Sequence, residues 1–175
     1  AEYYPGLDTV LVYPEAFVVP HLETDDDGFV VHDAPDERAG ESWQRGVVVI
    51  SWDDAERESR HRDGYNVVLH EFAHQLDDLT GEADGTPPLP RALHERWAPV
   101  FQAAFEQHQR NLRRRRPVLF DEDAAGSPCE FFATAVELFF EYPDDLQHAF
   151  GEVHDLLAEY LELDPCTWPG RPRHA

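Results

Sequence analysis

Residues 67–78 read VVLHEFAHQLDD, and this stretch decides the fold. Val68, Leu69, Phe72, Leu76 and Leu79 recur at helical spacing, so the segment predicts a helix with an apolar stripe facing the core. Within it, His70-Glu71-Phe72-Ala73-His74 forms an H-E-x-x-H. Residues four apart stack one turn above the other, so His70 and His74 project from one face, roughly opposite the stripe. Two imidazoles on consecutive turns can hold one metal ion. Glu71, about 100° round the helix, can reach a water beside that ion. The bland alternative is two solvated histidines in a chance motif; the helical context and the polar position of the histidines favour the metal. Asp77, on the same side one turn on, is a candidate to accept an imidazole N–H and fix its tautomer, or else a plain surface residue.

Upstream, residues 8–20 (DTVLVYPEAFVVP) predict a short strand, a turn at Pro14 and a second apolar run. Residues 29–32 suggest another strand, and 33–45 are polar and predict loop. Residues 46–52 (GVVVISW) are continuous, β-branched and short, the strongest strand signal in the chain. That strand is either a sheet edge able to pair with an extended peptide or an interior strand. Residues 53–64 predict a charged loop or a short exposed helix, with Asp63 or Asn66 as cap for the helix that follows.

Downstream, GEADGTPPLP (81–90) is a turn-rich break. A long helix is predicted over 91–115, ending in a basic run at 113–116 that suits a helix C-terminus or an acidic docking partner. Further helices are predicted over 127–141 and 143–161. Strands first and helices afterwards give an α+β class, a small N-terminal sheet followed by a helical half.

With 175 residues and 42% hydrophobic content, the chain predicts one domain with a true core over 1–165 and a Pro-rich tail at 166–175. A net charge of −22 argues against nucleic-acid binding. No apolar run approaches the roughly 20 residues needed to span a bilayer, and two cysteines, Cys129 and Cys166, make neither a disulfide framework nor a thiolate zinc site by spacing. The expected setting is cytoplasmic and reducing. The absence of Met, even at position 1, leads us to expect a segment before residue 1. The remaining histidines (His21, His32, His61, His94, His108, His148 and His154) show no ligand spacing and read as surface residues.

A catalytic zinc ordinarily has three protein ligands and an open position. A third histidine in the pattern H-E-x-x-H-x-x-G-x-x-H would need Gly at 77 and His at 80; Asp77 and Thr80 stand there. A carboxylate from a second helix is the alternative, and SPCEFFATAVELFFEYP (127–143) places Glu130, Thr134, Glu137 and Glu141 on one polar stripe. Spacing alone leaves Glu130 and Glu137 both open. Ser127-Pro128-x-Glu130 also fits a helix-capping box, and the later glutamates also fit a solvated face.

HEFAHQLD, then DGTPPL, then CEFFATAVELFFEYP, together with VLVYPEAFVV and VVVISWDD upstream, resembles the Mlc titration factor A family of bacterial zinc metallopeptidases across residues 8–165. That family is similar in turn to the catalytic domain of anthrax lethal factor. The resemblance implies a zincin fold of the gluzincin type, a Zn2+ cofactor, and Glu130 as third ligand beside His70 and His74. It implies Glu71 as general base and Glu137 as a supporting group. It implies a peptide or protein substrate or, alternatively, the sequestering of a glucose-responsive transcriptional repressor. It also implies a Tyr about seven residues before the third ligand, where Asp123 stands instead. A carboxylate does not steady an oxyanion, so Tyr65, Tyr142 or a histidine is the candidate substitute.

Overall fold

The apolar run at 46–52 becomes the middle strand of a small mixed sheet. The computed structural model describes residues 4–19, 22–24, 30–32, 36–38, 40–43, 46–61 and 63–169. Seven strands come first: β1 (Thr9–Tyr13), β2 (Phe17–Val19), β3 (Leu22–Thr24), β4 (Val30–His32), β5 (Asp36–Arg38), β6 (Gly40–Trp43) and β7 (Val47–Ser51). The main sheet has the order β1-β7-β6. β1 runs parallel to β7 with Thr9 opposite Val47, and β6 runs antiparallel with Trp43 opposite Val47. β2 with β5, and β3 with β4, form two antiparallel ribbons.

β7 is therefore interior, and its continuous apolar sequence follows from that: Val48, Val49 and Ile50 are all buried. It is not the edge that a peptide could join. Residues 33–45, expected as loop, contain β5 and β6. Neither DER nor GESW alternates apolar with polar residues, so the pairing partners β2 and β7 select these strands, not local sequence.

Six α-helices follow: α1 (Trp52–Arg60), α2 (Val67–Asp78), α3 (His94–Arg113), α4 (Pro128–Glu141), α5 (Pro143–Ala149) and α6 (Gly151–Leu161). α2 lies between two cores. Val67, Val68 and Phe72 pack with Val48 and Ile50 of the sheet, while Ala73, Leu76 and Leu79 join the larger helical core. The apolar face is thus split, and the helix is hemmed in on both sides. α4 is the axis of the helical half, buried continuously from Phe131 to Phe139. Aromatic rings fill the space between it and α3: Trp97 stacks on Phe101 at 4.5 Å, and Phe120 on Phe131 at 4.5 Å.

The helix expected over 143–161 is two helices. Phe150 breaks it with φ −141° and ψ 57°, and Gly151 starts the next segment. That bend sends the Phe150 ring onto Phe120 at 5.1 Å, a contact a straight helix would not reach. The C-terminal stretch is ordered as far as a 3₁₀ turn at Pro165–Thr167, with Trp168 against Phe140; residues 170–175 lie outside the described residues. No helix among the described residues is long and apolar enough to cross a membrane.

Candidate metal centre

The centre is built where the N-terminal halves of two helices meet. α2 starts at Asn66, whose Oδ1 accepts the Leu69 N–H at 3.1 Å. Two further carboxylates take orphan donors of the same helix end: Glu58 Oε2 accepts from Val67 N, and Glu137 Oε2 accepts from Asn66 N, each at 2.6 Å. α4 starts at Ser127, whose Oγ accepts the Glu130 N–H at 3.2 Å, with Pro128 in the first turn. The capping residues are thus real, and they also aim Glu130 at α2.

His70 Nε2 and His74 Nε2 lie 3.1 Å apart. Glu130 Oε2 is 3.3 Å from the first, and Glu130 Oε1 is 3.6 Å from the second. Donor atoms around a tetrahedral zinc, at bond lengths of about 2.0–2.1 Å, lie about 3.3–3.4 Å from each other. The two imidazole nitrogens are close to that separation and each faces one oxygen of Glu130, so one ligand atom from each of the three side chains lies within 4.8 Å of the others, a cluster that can close on one ion. Two imidazoles and a carboxylate are also a donor set that zinc accepts while keeping an open position.

Exposure separates the two glutamates. The Glu130 side chain keeps 39% of its surface in solvent, and that of Glu137 only 5%. Glu137 lies behind the site and uses both oxygens there: Oε1 meets His70 Nδ1 at 2.8 Å, while Oε2 holds Asn66 N. With Nδ1 carrying the proton to Glu137, Nε2 is left bare for a metal. The polar stripe on α4 accordingly faces α2 and not bulk solvent, with Thr134 and Glu137 both buried.

His74 has a partner that spacing did not indicate. Cys129 Sγ lies 3.2 Å from His74 Nδ1, the place Glu137 takes for His70. The signal was its position directly before Glu130 in the first turn of α4. Glu71 follows His70 on α2 and is buried.

Burial opposes charge on His70, but the contacts with Glu130 and Glu137 outweigh it and lift its pKa to about 9. Burial likewise opposes charge on His74, and Cys129 and Glu130 lift it to about 10. Glu130, facing both rings, is held well below the usual carboxylate range by His70 and then His74. Without a metal, the centre stores a proton where a cation would sit.

Asp77 does not hold an imidazole. It is fully buried, and its Oδ2 accepts the Gly85 N–H at 2.8 Å, so it orders the turn-rich loop instead. Burial, partly offset by the Gly85 and Thr86 N–H groups, pushes its pKa up to about 6. Gly85 in turn accepts the Trp97 indole N–H at 2.9 Å, so this loop ties α2 to α3. The reason is directional. At the end of α2, Asp77 points toward the loop that leaves the helix, whereas the histidines point toward α4.

Asp123 lies in a 3₁₀ turn (Asp123–Ala125) just before α4. Tyr65 stands next to the α2 cap and is half exposed. Burial and then Asp121 raise its pKa, and the charges of Glu137 and Asp123 add to the shift. A pocket of about 220 Å³ adjoins the centre, lined by Tyr65, Asp121, Thr134, Leu138 and Tyr142 among others. Of the other histidines, His108 and His154 are buried and not superficial. His108 Nε2–H donates to the Asp121 carbonyl at 2.8 Å, while its Nδ1 is buried with no hydrogen-bond partner among the described residues.

An α+β domain with a small N-terminal sheet, six α-helices among the described residues and three convergent side chains that could hold a metal ion is consistent with a metallopeptidase-like domain. Comparison with known proteins gives the family: residues 1–162 match the model of the glucose-regulated metallo-peptidase M90 family, and the chain belongs to it. It is 42% identical over 165 residues to an uncharacterized protein of Synechocystis sp., covering 93% of this chain and 60% of that one. It is 37% identical over 163 residues to Mlc titration factor A of Edwardsiella ictaluri, covering 91% and 62%. It is 33% identical over 167 residues to Mlc titration factor A of Escherichia coli, covering 94% and 62%. The chain thus spans about three-fifths of the length of these relatives.

Proposed function

We propose that residues 1–165 form one gluzincin-type, zinc-dependent peptidase domain, followed by a Pro-rich tail. The single observation that carries this reading is the convergence of His70 Nε2, His74 Nε2 and the Glu130 carboxylate on one point, within 4.8 Å of one another, with Glu71 on the same helix. When bound, zinc supplies Lewis acidity, activating water and polarising a peptide carbonyl. His70, His74 and Glu130 hold it. Glu71 is the general base: it takes the proton from the attacking water and delivers it to the leaving amine. Glu137 and Cys129 fix the two rings through their Nδ1 atoms. Tyr65 is the donor we assign to the developing oxyanion in place of the residue expected at Asp123. An extended peptide would lie along β6, which among the described residues is the edge strand of the main sheet that packs against α2. A reducing compartment suits the reading, since Cys129 serves as a thiol.

A second reading is kept because of Asp123 and the names of the relatives: a zinc-containing module that binds a transcriptional regulator with little turnover. Glu71→Gln separates the two. On the first reading, hydrolysis of a fluorogenic peptide falls about 10²–10⁴-fold while zinc content is unchanged. Equal rates in wild type and variant would reject the mechanism. If neither cleaves and both bind the regulator, the second reading stands.

A further inference from the structure

We propose a second metal site, for zinc or a similar borderline cation, at His154, Asp164 and Cys166. The three residues offer ligand atoms that all lie within 4.8 Å of one another. No sequence spacing advertises the site, because chain reversal after α6 creates it. Glu162 takes a left-handed conformation at φ 55°, ends the helix and turns the chain back. Asp164 then caps the following turn by accepting the Cys166 N–H at 2.8 Å. The turn carries Asp164 Oδ1 to 3.5 Å and Cys166 Sγ to 3.4 Å from the same nitrogen, His154 Nε2.

The 3.5 Å N···O separation is long for an imidazole N–H···O hydrogen bond, which runs to about 3.2 Å, whereas the 3.4 Å N···S separation also suits a hydrogen bond to the larger sulfur atom. They do match the edges of a zinc tetrahedron. With bonds of about 2.1 Å to N and O and about 2.3 Å to S, the N···O edge is about 3.4 Å and the N···S edge about 3.6 Å. The donor set of imidazole, carboxylate and thiolate is also one that zinc prefers over magnesium or calcium.

His154 is only 1% exposed, so its ring is fixed before any ion arrives. Phe139 backs it at 5.2 Å between ring centres. Its other nitrogen, Nδ1, lies 3.5 Å from Asp155 Oδ1. Gln147 Oε1 is 3.9 Å from the sulfur. Such a site ties the turn at Pro165–Thr167 to α6, and α6 packs on α3 and α4. Its role is to fasten the C-terminal end of the helical core. It is independent of the peptidase reading, because none of its ligands belongs to the first centre.

Metal content and cobalt spectra test it on the full chain. Dialysis against Zn2+ should load two equivalents in wild type and one in Cys166→Ser. Cobalt-loaded wild type should show a thiolate-to-cobalt charge-transfer band in the near ultraviolet. The band should vanish in Cys166→Ser and persist in Cys129→Ser and His70→Ala. Asp164→Asn keeps the cap but loses the charge, and should weaken the second equivalent about 10-fold or more. No thiolate-to-cobalt band in wild type, a band that follows Cys129, or a zinc content in Cys166→Ser equal to that of wild type would each overturn the proposal.

Discussion

Glu137→Gln puts the support of the metal centre to a direct test. The wild-type carboxylate is an acceptor at both ends, toward His70 Nδ1 at 2.8 Å and Asn66 N at 2.6 Å. A carboxamide has the same shape but only one acceptor. If its oxygen keeps Asn66 N, its NH2 faces His70 Nδ1 and forces that nitrogen to be the acceptor. The ring proton then moves to Nε2, the atom needed for the metal. If the oxygen keeps His70, the NH2 meets the Asn66 N–H, and the start of α2 loses a buried acceptor. Either arrangement costs about 1–3 kcal/mol for the unsatisfied or misplaced group. A supporting partner of a ligating histidine contributes about 10–100-fold in metal affinity, or about 1.4–2.7 kcal/mol. We therefore expect zinc affinity to fall by that range while the fold persists. Competition between the metal-free protein and a chromophoric chelator measures it directly. Zinc affinity within about threefold of wild type, with intact circular dichroism, would refute the tautomer reasoning. Glu130→Ala should lose far more, since it removes a ligand and not a support.

Other outcomes follow from the same geometry. Gly85→Ala should destabilise the protein by about 1–3 kcal/mol in urea denaturation, because Gly85 has φ +81° and an added Cβ would lie 2.6 Å from the Pro128 carbonyl oxygen. Since Pro128 opens α4, the same variant should also bind zinc more weakly. The Asp77 carboxyl is pushed up to about 6 from 3.8, so its contribution to stability is fully present below pH 3.8 and is lost as pH rises through 6. Asp77→Asn should flatten that slope, on the order of 1–3 kcal/mol between the two pH values, in denaturation curves across pH. Zinc must displace protons from His70, lifted to about 9 by Glu130 and Glu137, and from His74, lifted to about 10 by Cys129 and Glu130, so apparent affinity should climb with pH across the neutral range and chelators should strip the metal most easily in acid. A pH-independent affinity would contradict the stored proton.

Much of the centre was legible before any coordinates. The 3.6-residue period placed α2 at its observed bounds, and Asn66 stood at its cap as one of two candidates. Ser127-Pro128 gave the start of α4. These features are local: a helix repeats its hydrogen bonds within a few residues, and its caps are read by neighbouring side chains. His70 and His74 share a face for the same reason. What the local code could not supply was whatever depends on which element lies opposite. Polar β5 and β6 became strands only because β2 and β7 offered them a ladder.

The chain alone therefore determined α2 and α4, their caps and a pair of histidines on one helix face. Tertiary structure decided which glutamate faces that pair and which stands behind it. Glu130 and Glu137 sit on the same stripe two turns apart, and only the crossing of α2 over α4 makes one exposed to the site and the other a buried partner of His70. It also turned Asp77 away to the Gly85 loop, set Cys129 beside His74, and gathered His154, Asp164 and Cys166 around one point. Sequence periodicity says which way a side chain leaves its own helix; what it meets there is fixed by packing between distant segments.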